Sequence, residues 1–128
     1  MFFAKSLTIP ANTLQGKPVR IKLRVTQGLV KHVWVRWRWG TGNLCGVRMY
    51  HNEFQYWPLS LGSWFPSSEY PIDFADAIPI GDDSRLVVIE GYNLDDTFSH
   101  TVWVGFNIIR QRVTPEMMGF LADLGLGA

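Results

Sequence analysis

Alternation of apolar and polar residues constrains this chain more than any other feature. Between Val19 and Thr26, apolar Val19, Ile21, Leu23 and Val25 alternate with Arg20, Lys22, Arg24 and Thr26. Between Leu29 and Trp39, one face carries Val33, Val35, Trp37 and Trp39, and the other His32, Trp34, Arg36 and Arg38. Between Phe98 and Ile109, the set Phe98, His100, Val102, Val104, Phe106 and Ile108 alternates with Ser99, Thr101, Trp103, Gly105 and Asn107. Successive side chains of an extended strand point to opposite sides, whereas a helix repeats every 3.6 residues. The pattern therefore specifies antiparallel strands with one buried face.

The remaining strands follow from shorter patterns. Phe3 to Ile9 reads as a first strand, closed by Pro10. Leu44 to His51 reads as another, continuing through Glu53 to Trp57 after a bulge at His51-Asn52. Ser84 to Tyr92 is an apolar strand, and Ile72-Asp73-Phe74 a short edge strand. Gln27-Gly28, Gly40 to Asn43 and Asn93 to Asp96 read as turns, and Pro58 to Pro71 as a long loop. Strands at this spacing predict an all-β domain over residues 1–113, an antiparallel β-sandwich of jelly-roll-like build.

Residues 114–128 break the pattern. Thr114 can cap a helix, Pro115 suits its first position, Glu116 favours its positive end, and Gly125 is a stop. The spacing predicts a short C-terminal helix with Met117, Phe120, Leu121 and Leu124 on one face. So short a helix is marginal alone, so it docks on its own domain or on a neighbour.

A chain of 128 residues is one domain. Charged residues make up 18%, below the usual quarter or so, while aromatics reach 14% with six tryptophans. That is more aromatic surface than one small core needs, so part of it belongs to interfaces. A net charge of +1 argues against a dedicated nucleic-acid binder. Basic residues gather in the first third, from Lys17 to Arg38, and acids mostly after Glu69. The pattern reads as solvated faces, with head-to-tail contact between copies as the alternative. Cys45 has no partner cysteine for an internal disulfide and reads as a small core residue. Met1-Phe2-Phe3-Ala4-Lys5 does not open a signal peptide. No apolar stretch approaches the length, about 18 residues, that a membrane span needs. No membrane contact is expected.

No constellation specifies catalysis. Ser63 in Leu61-Gly62-Ser63-Trp64 lacks the second glycine of a nucleophile elbow. His32, His51 and His100 have no metal-ligand spacing. The acidic pairs Asp73/Asp76, Asp82/Asp83 and Asp95/Asp96 supply oxygen ligands without the spacing of a calcium loop. No enzyme activity and no cofactor are expected. The candidate residues are instead contact residues: Trp34 and Arg36 on an outward strand face, Trp57, Trp64 and Phe65 around the long loop, and Met117, Phe120, Leu121 and Leu124 in the tail. Under the alternative, Tyr56, Trp57 and Trp64 with Asp73 and Asp76 form a sugar-binding platform.

Three segments carry a resemblance: Leu7-Thr8-Ile9-Pro10-Ala11-Asn12-Thr13, Glu53-Phe54-Gln55-Tyr56-Trp57-Pro58-Leu59, and Glu90-Gly91-Tyr92-Asn93-Leu94-Asp95-Asp96-Thr97-Phe98-Ser99-His100-Thr101-Val102. Across residues 3–109 the chain resembles small β-sandwich proteins encoded among bacteriophage and virus structural genes; the tail lies outside this resemblance. It implies a virion component of minor capsid, decoration or vertex type, assembled in the host cytoplasm, with copies of itself or other virion proteins as partners. It brings no catalytic residues. The alternative function is a carbohydrate-binding module, with a glycan as partner.

Overall fold

The computed structural model describes residues 1–110 except Trp39, Leu61, Glu69, Asp82 and Asp83. The described residues form strands β1 (Phe2–Ile9), β2 (Val19–Arg24), β3 (Gly28–Trp37), β4 (Cys45–His51), β5 (Phe54–Trp57), β6 (Phe65–Pro66), β7 (Ile72–Ile80), β8 (Leu86–Asn93) and β9 (His100–Ile109). They build two antiparallel sheets that pack as a sandwich. The first has the order β1-β9-β3-β7 and the second β2-β8-β4-β5, with β6 also paired to β4.

The pairing is nested. Phe2 lies opposite Asn107, Val19 opposite Gly91, Gly28 opposite Ile80 and His51 opposite Phe54. The chain is thus one long antiparallel ribbon, doubled back at Asn52-Glu53 and wound so that successive rungs alternate between sheets. At the fold-back, Asn52 and Glu53 both have positive φ, 51° and 64°. Two such residues between paired strands make the tight turn whose twist matches that of a hairpin. The bulge expected at His51-Asn52 is therefore a two-residue turn, and the irregularity in this hairpin lies between Met49 and Tyr50.

The inner faces follow the alternation. Val33, Val35, Trp37, Val102, Val104, Phe106 and Ile108 from the first sheet are buried in one core with Val47, Met49, Val87 and Ile89 from the second. Burying such side chains stabilises by about 1.5–3 kcal/mol each before entropy is charged against them.

Three expectations change. Gln27-Gly28 is not a hairpin turn, because β2 and β3 belong to different sheets and the chain crosses between them there. β7 runs nine residues rather than three. Pro79 ends no strand, because β7 is the edge of its sheet and an edge tolerates a missing N–H. The long loop is shorter than expected, since Phe65–Pro66 pairs with β4 at Gly46 and Val47. The described residues contain no helix. The predicted C-terminal helix, with Met117, Phe120, Leu121 and Leu124, lies outside the described residues. No helix among the described residues is long and apolar enough to cross a membrane.

Candidate functional site

The sandwich presents three surfaces of distinct chemistry. The first is the outer face of the first sheet, where the strand registers set side chains in rows. Phe2, Asn107, His32 and Ala75 form one row, then Ala4, Gly105, Trp34 and Asp73. Ser6, Trp103 and Arg36 come next, followed by Thr8, Thr101 and Arg38. Gly105 leaves a hole in its row, and Phe2 leans into it. The Phe2 ring meets Trp34 edge-on at 5.2 Å and Trp103 at 5.6 Å, and His32 lies 4.4 Å from Trp34. His32 Nε2 also stands 3.1 Å from Asp73 Oδ1. Phe2 is 53% exposed in this four-ring cluster. Arg36 and Arg38 are exposed beside it, with no acidic partner among the described residues.

The second surface, the outer face of the second sheet, is organised around one buried carboxylate. Glu90 is buried and accepts from Arg20 Nε at 3.0 Å and Arg48 Nε at 2.9 Å. The Arg48 guanidinium stacks 4.0 Å from the Trp64 ring, which meets Tyr92 edge-on at 4.8 Å. Tyr92 in turn covers Gly46, where a Cβ would come within 2.5 Å of its ring. These contacts commit Arg20, Arg48 and Glu90 to one another, while Lys22 and Arg24 of β2 stay exposed beside them.

The third surface is one end of the sandwich, where four loops meet: those joining β1 to β2, β3 to β4, β6 to β7 and β8 to β9. Asn93 is the centre of that junction and is fully buried. Its Nδ2 donates to the Ile9 carbonyl at 3.1 Å and to the Phe98 carbonyl at 2.9 Å. Its Oδ1 accepts from the Asp95 N–H at 3.0 Å and from the Cys45 thiol at 3.3 Å. Its backbone exchanges hydrogen bonds with Thr13. Leu94 N–H donates to the Leu44 carbonyl at 2.8 Å, and Ser67 Oγ donates to the Gly42 carbonyl at 2.8 Å. From this tied junction Leu14, Leu44, Tyr70, Leu94 and Phe98 project into solvent, with Leu14 61%, Phe98 66% and Tyr70 77% exposed.

The titratable groups have assigned local roles. Asp95 accepts from the Thr97 N–H at 2.9 Å and from His100 Nε2 at 2.8 Å. These two bonds, the Thr97 one first, hold its carboxyl below the usual range. Burial, and then the charge of Asp95, pushes the Cys45 thiol up to about 11. His51 Nε2 lies 3.0 Å from the Ser84 carbonyl oxygen. Among the described residues no three His, Cys, Asp or Glu gather as ligands for a metal ion. Asp82 and Asp83 lie outside the described residues.

The structure separates the residues that sequence grouped. Trp34 and Arg36 lie on the outer face of the first sheet, as their alternation requires. Trp64 lies on the opposite face of the molecule, over Arg48. Phe65 is half-buried against Phe74 at 5.7 Å. Trp57 is 0% exposed, stacks on Phe106 at 5.0 Å, and donates from Nε1 to Asp76 Oδ2 at 2.9 Å. Tyr56 is buried beside it. Trp57 and Tyr56 are therefore core residues, neither contact residues nor a sugar platform, because they belong to the core between the sheets, Trp57 opposite Met49 and against Phe106. Gln55, also buried, holds that loop: its Nε2 reaches the carbonyls of Pro58, Ser60 and Ser63 at 2.7, 3.2 and 2.9 Å, and its Oε1 accepts from the Gly62 N–H. Asp73 lies on the first sheet, away from the loop platform.

In comparison with known proteins, no family model and no curated protein sequence matches the chain.

Proposed function

We propose that this chain is a non-enzymatic structural protein of a virion, of jelly-roll build, that works by contact between copies or with a coat protein. The nested pairing of β1 with β9, β2 with β8, β3 with β7 and β4 with β5 supports the jelly-roll reading, since that fold is a doubled ribbon wound into two sheets. The observation that carries the function is the apolar tip. Four separate loops converge, are tied together through Asn93 and Ser67, and expose Leu14, Leu44, Tyr70, Leu94 and Phe98. Single exposed leucines are ordinary on a protein surface; several large ones gathered at one end mark a contact site. The ties hold the loops in place before association, which reduces the ordering cost of binding.

At the tip, apolar area is removed from water at about 25 cal/mol per Å², set against the lost freedom of the partners. Two copies meeting tip to tip use the same patch on each side, a contact that closes on itself as a two-fold dimer. Light scattering on the full chain and on Leu94→Ser/Phe98→Ser tests this. Assembly by the parent and a folded monomer from the double variant is the expected result. A parent that stays monomeric at all concentrations and ignores coat proteins overturns it.

A further inference from the structure

We infer that the groove on the outer face of the first sheet binds an acidic sugar, stacking the ring on Trp103 and holding its anionic group with Arg36 and Arg38. This site is separate from the apolar tip, and the inference stands whether or not the chain assembles. The groove has a volume of about 720 Å³ and is lined by Ser6, Thr101, Trp103, Arg36, Arg38 and Pro71, with Trp37 beneath.

Three observations converge there. The first is unspent positive charge. Arg36 lies near the end of β3 and Arg38 just beyond it, and both line the groove. Both are exposed, and neither has an acidic partner among the described residues. Arg20 and Arg48 on the opposite face are both committed to Glu90. Two guanidiniums on one concavity raise the local positive potential although the chain's net charge is only +1. Guanidinium forks suit the planar carboxylate or sulfate of an acidic sugar.

The second observation is a fixed aromatic platform. Trp103 is half-buried and backed by Phe2 at 5.6 Å, and the end of its indole closes over Gly105. Such a ring loses little freedom when a ligand stacks on it. The third is hydrogen-bonding capacity at the correct level. Ser6 flanks Trp103 on one side, and the hydroxyls of Thr8 and Thr101 lie 3.0 Å apart in the next row.

The same face argues against a nucleic-acid strand. Phe2, Trp34 and His32 are packed onto one another, so they offer no row of free faces for successive bases. One ring and one compact anionic group fit.

The test is a titration of ¹⁵N-labelled full chain followed by its indole N–H resonances. The probes are sialyllactose, a heparin tetrasaccharide, lactose and oligothymidylate. Expected is a shift of the Trp103 indole with sialyllactose or the heparin fragment, the responding one identifying a carboxylate or a sulfate as the anion. The Trp57 indole, buried on Asp76, stays fixed and controls for general perturbation. Arg36→Gln/Arg38→Gln, both on the solvent face, keeps the fold and weakens acidic-sugar binding by about tenfold or more, as does Trp103→Ala. Silence toward both acidic sugars overturns the inference. So does lactose binding equal to theirs and unmoved by the arginine substitutions. Oligothymidylate binding tighter than either sugar also overturns it, and assigns the groove to nucleic acid.

Discussion

The ring of Phe2 occupies the space a side chain would fill at Gly105, where an added Cβ would stand 2.7 Å from Phe2 Cζ. Gly91 is hemmed in differently: a Cβ there would come within 2.4 Å of Ile9 Cδ1, inside the core. Phe2 is exposed and can swing away, whereas Ile9 cannot. Gly105→Ala should therefore cost about 1 kcal/mol and alter the near-ultraviolet circular dichroism of the aromatic cluster. Gly91→Ala should cost about 3 kcal/mol by overpacking. Urea unfolding of both variants measures the difference, and equal losses would refute this account of Gly105.

Glu90 sits between two arginines of unequal burial. The Arg20 side chain is 60% exposed and that of Arg48 only 18%. Removing Arg20 leaves Glu90 its bond to Arg48, so Arg20→Ala should cost about 0.5 kcal/mol. Arg48→Ala strips the buried carboxylate of its enclosed partner and Trp64 of its stacked cation. Its cost should be about 3 kcal/mol. Chemical denaturation of the two single variants decides the order, which reverses if Arg20 is the principal partner.

Asp95 makes stability depend on acid. The Thr97 N–H and then the His100 ring hold its carboxyl below the ordinary value, desolvation opposes them, and the Phe98 N–H adds to the lowering. A carboxyl depressed in the folded state contributes stability that is whole above its unfolded-state value and is lost as pH falls through its folded-state value. Asp95→Asn should therefore melt below the parent at pH 7, with the gap closing below about pH 4. Thermal melts at pH 7 and pH 3 check this; a gap that persists unchanged in acid would show that the carboxylate charge is not responsible.

Cys45 should be inert in the native protein. Its thiol is buried, donates to Asn93 Oδ1, and is pushed up to about 11, so little thiolate exists near neutrality. An aromatic disulfide reagent at pH 8 should react at the rate of unfolding and immediately in denaturant. Fast reaction with the folded chain would contradict the burial described.

The long alternating segments were legible because each buries one face only. β2 and β3 lie where the pattern puts them and β9 does from His100 onward, whereas Phe98, grouped by the pattern with the inner face, precedes the strand and is exposed; Trp34, Arg36 and Trp103 face outward as the alternation requires. The pattern does not say which outward faces share a sheet, so it joins neither Trp103 nor Phe2 to Trp34. Around Trp57 sequence misleads for another reason. Tryptophan beside a proline and a loop looks like a surface residue, and nothing nearby announces that β5 will turn this ring inward onto Phe106. The apolar tip carries no periodicity at all. Leu14, Leu44 and Leu94 stand in separate loops, and only the nested pairing gathers them. Asn93, read as one residue of a turn, becomes the buried hub of four segments by the same topology.

The doubled ribbon also dictates an order of events. Closing β1 directly onto β9 encloses nearly the whole chain, at a cost in entropy that grows with the loop. Once the Asn52-Glu53 turn has formed and the inner rungs have zipped, each further rung closes only a short loop on either side. Folding then proceeds from the turn outward, slowly as long-range pairing demands. The β1–β9 rung is the last to close and the first to open. Phe2 rides on that rung, so the aromatic face of the first sheet becomes whole only when the entire chain has wound up. Amide exchange should read this as a gradient, most protected near the fold-back and least at β1.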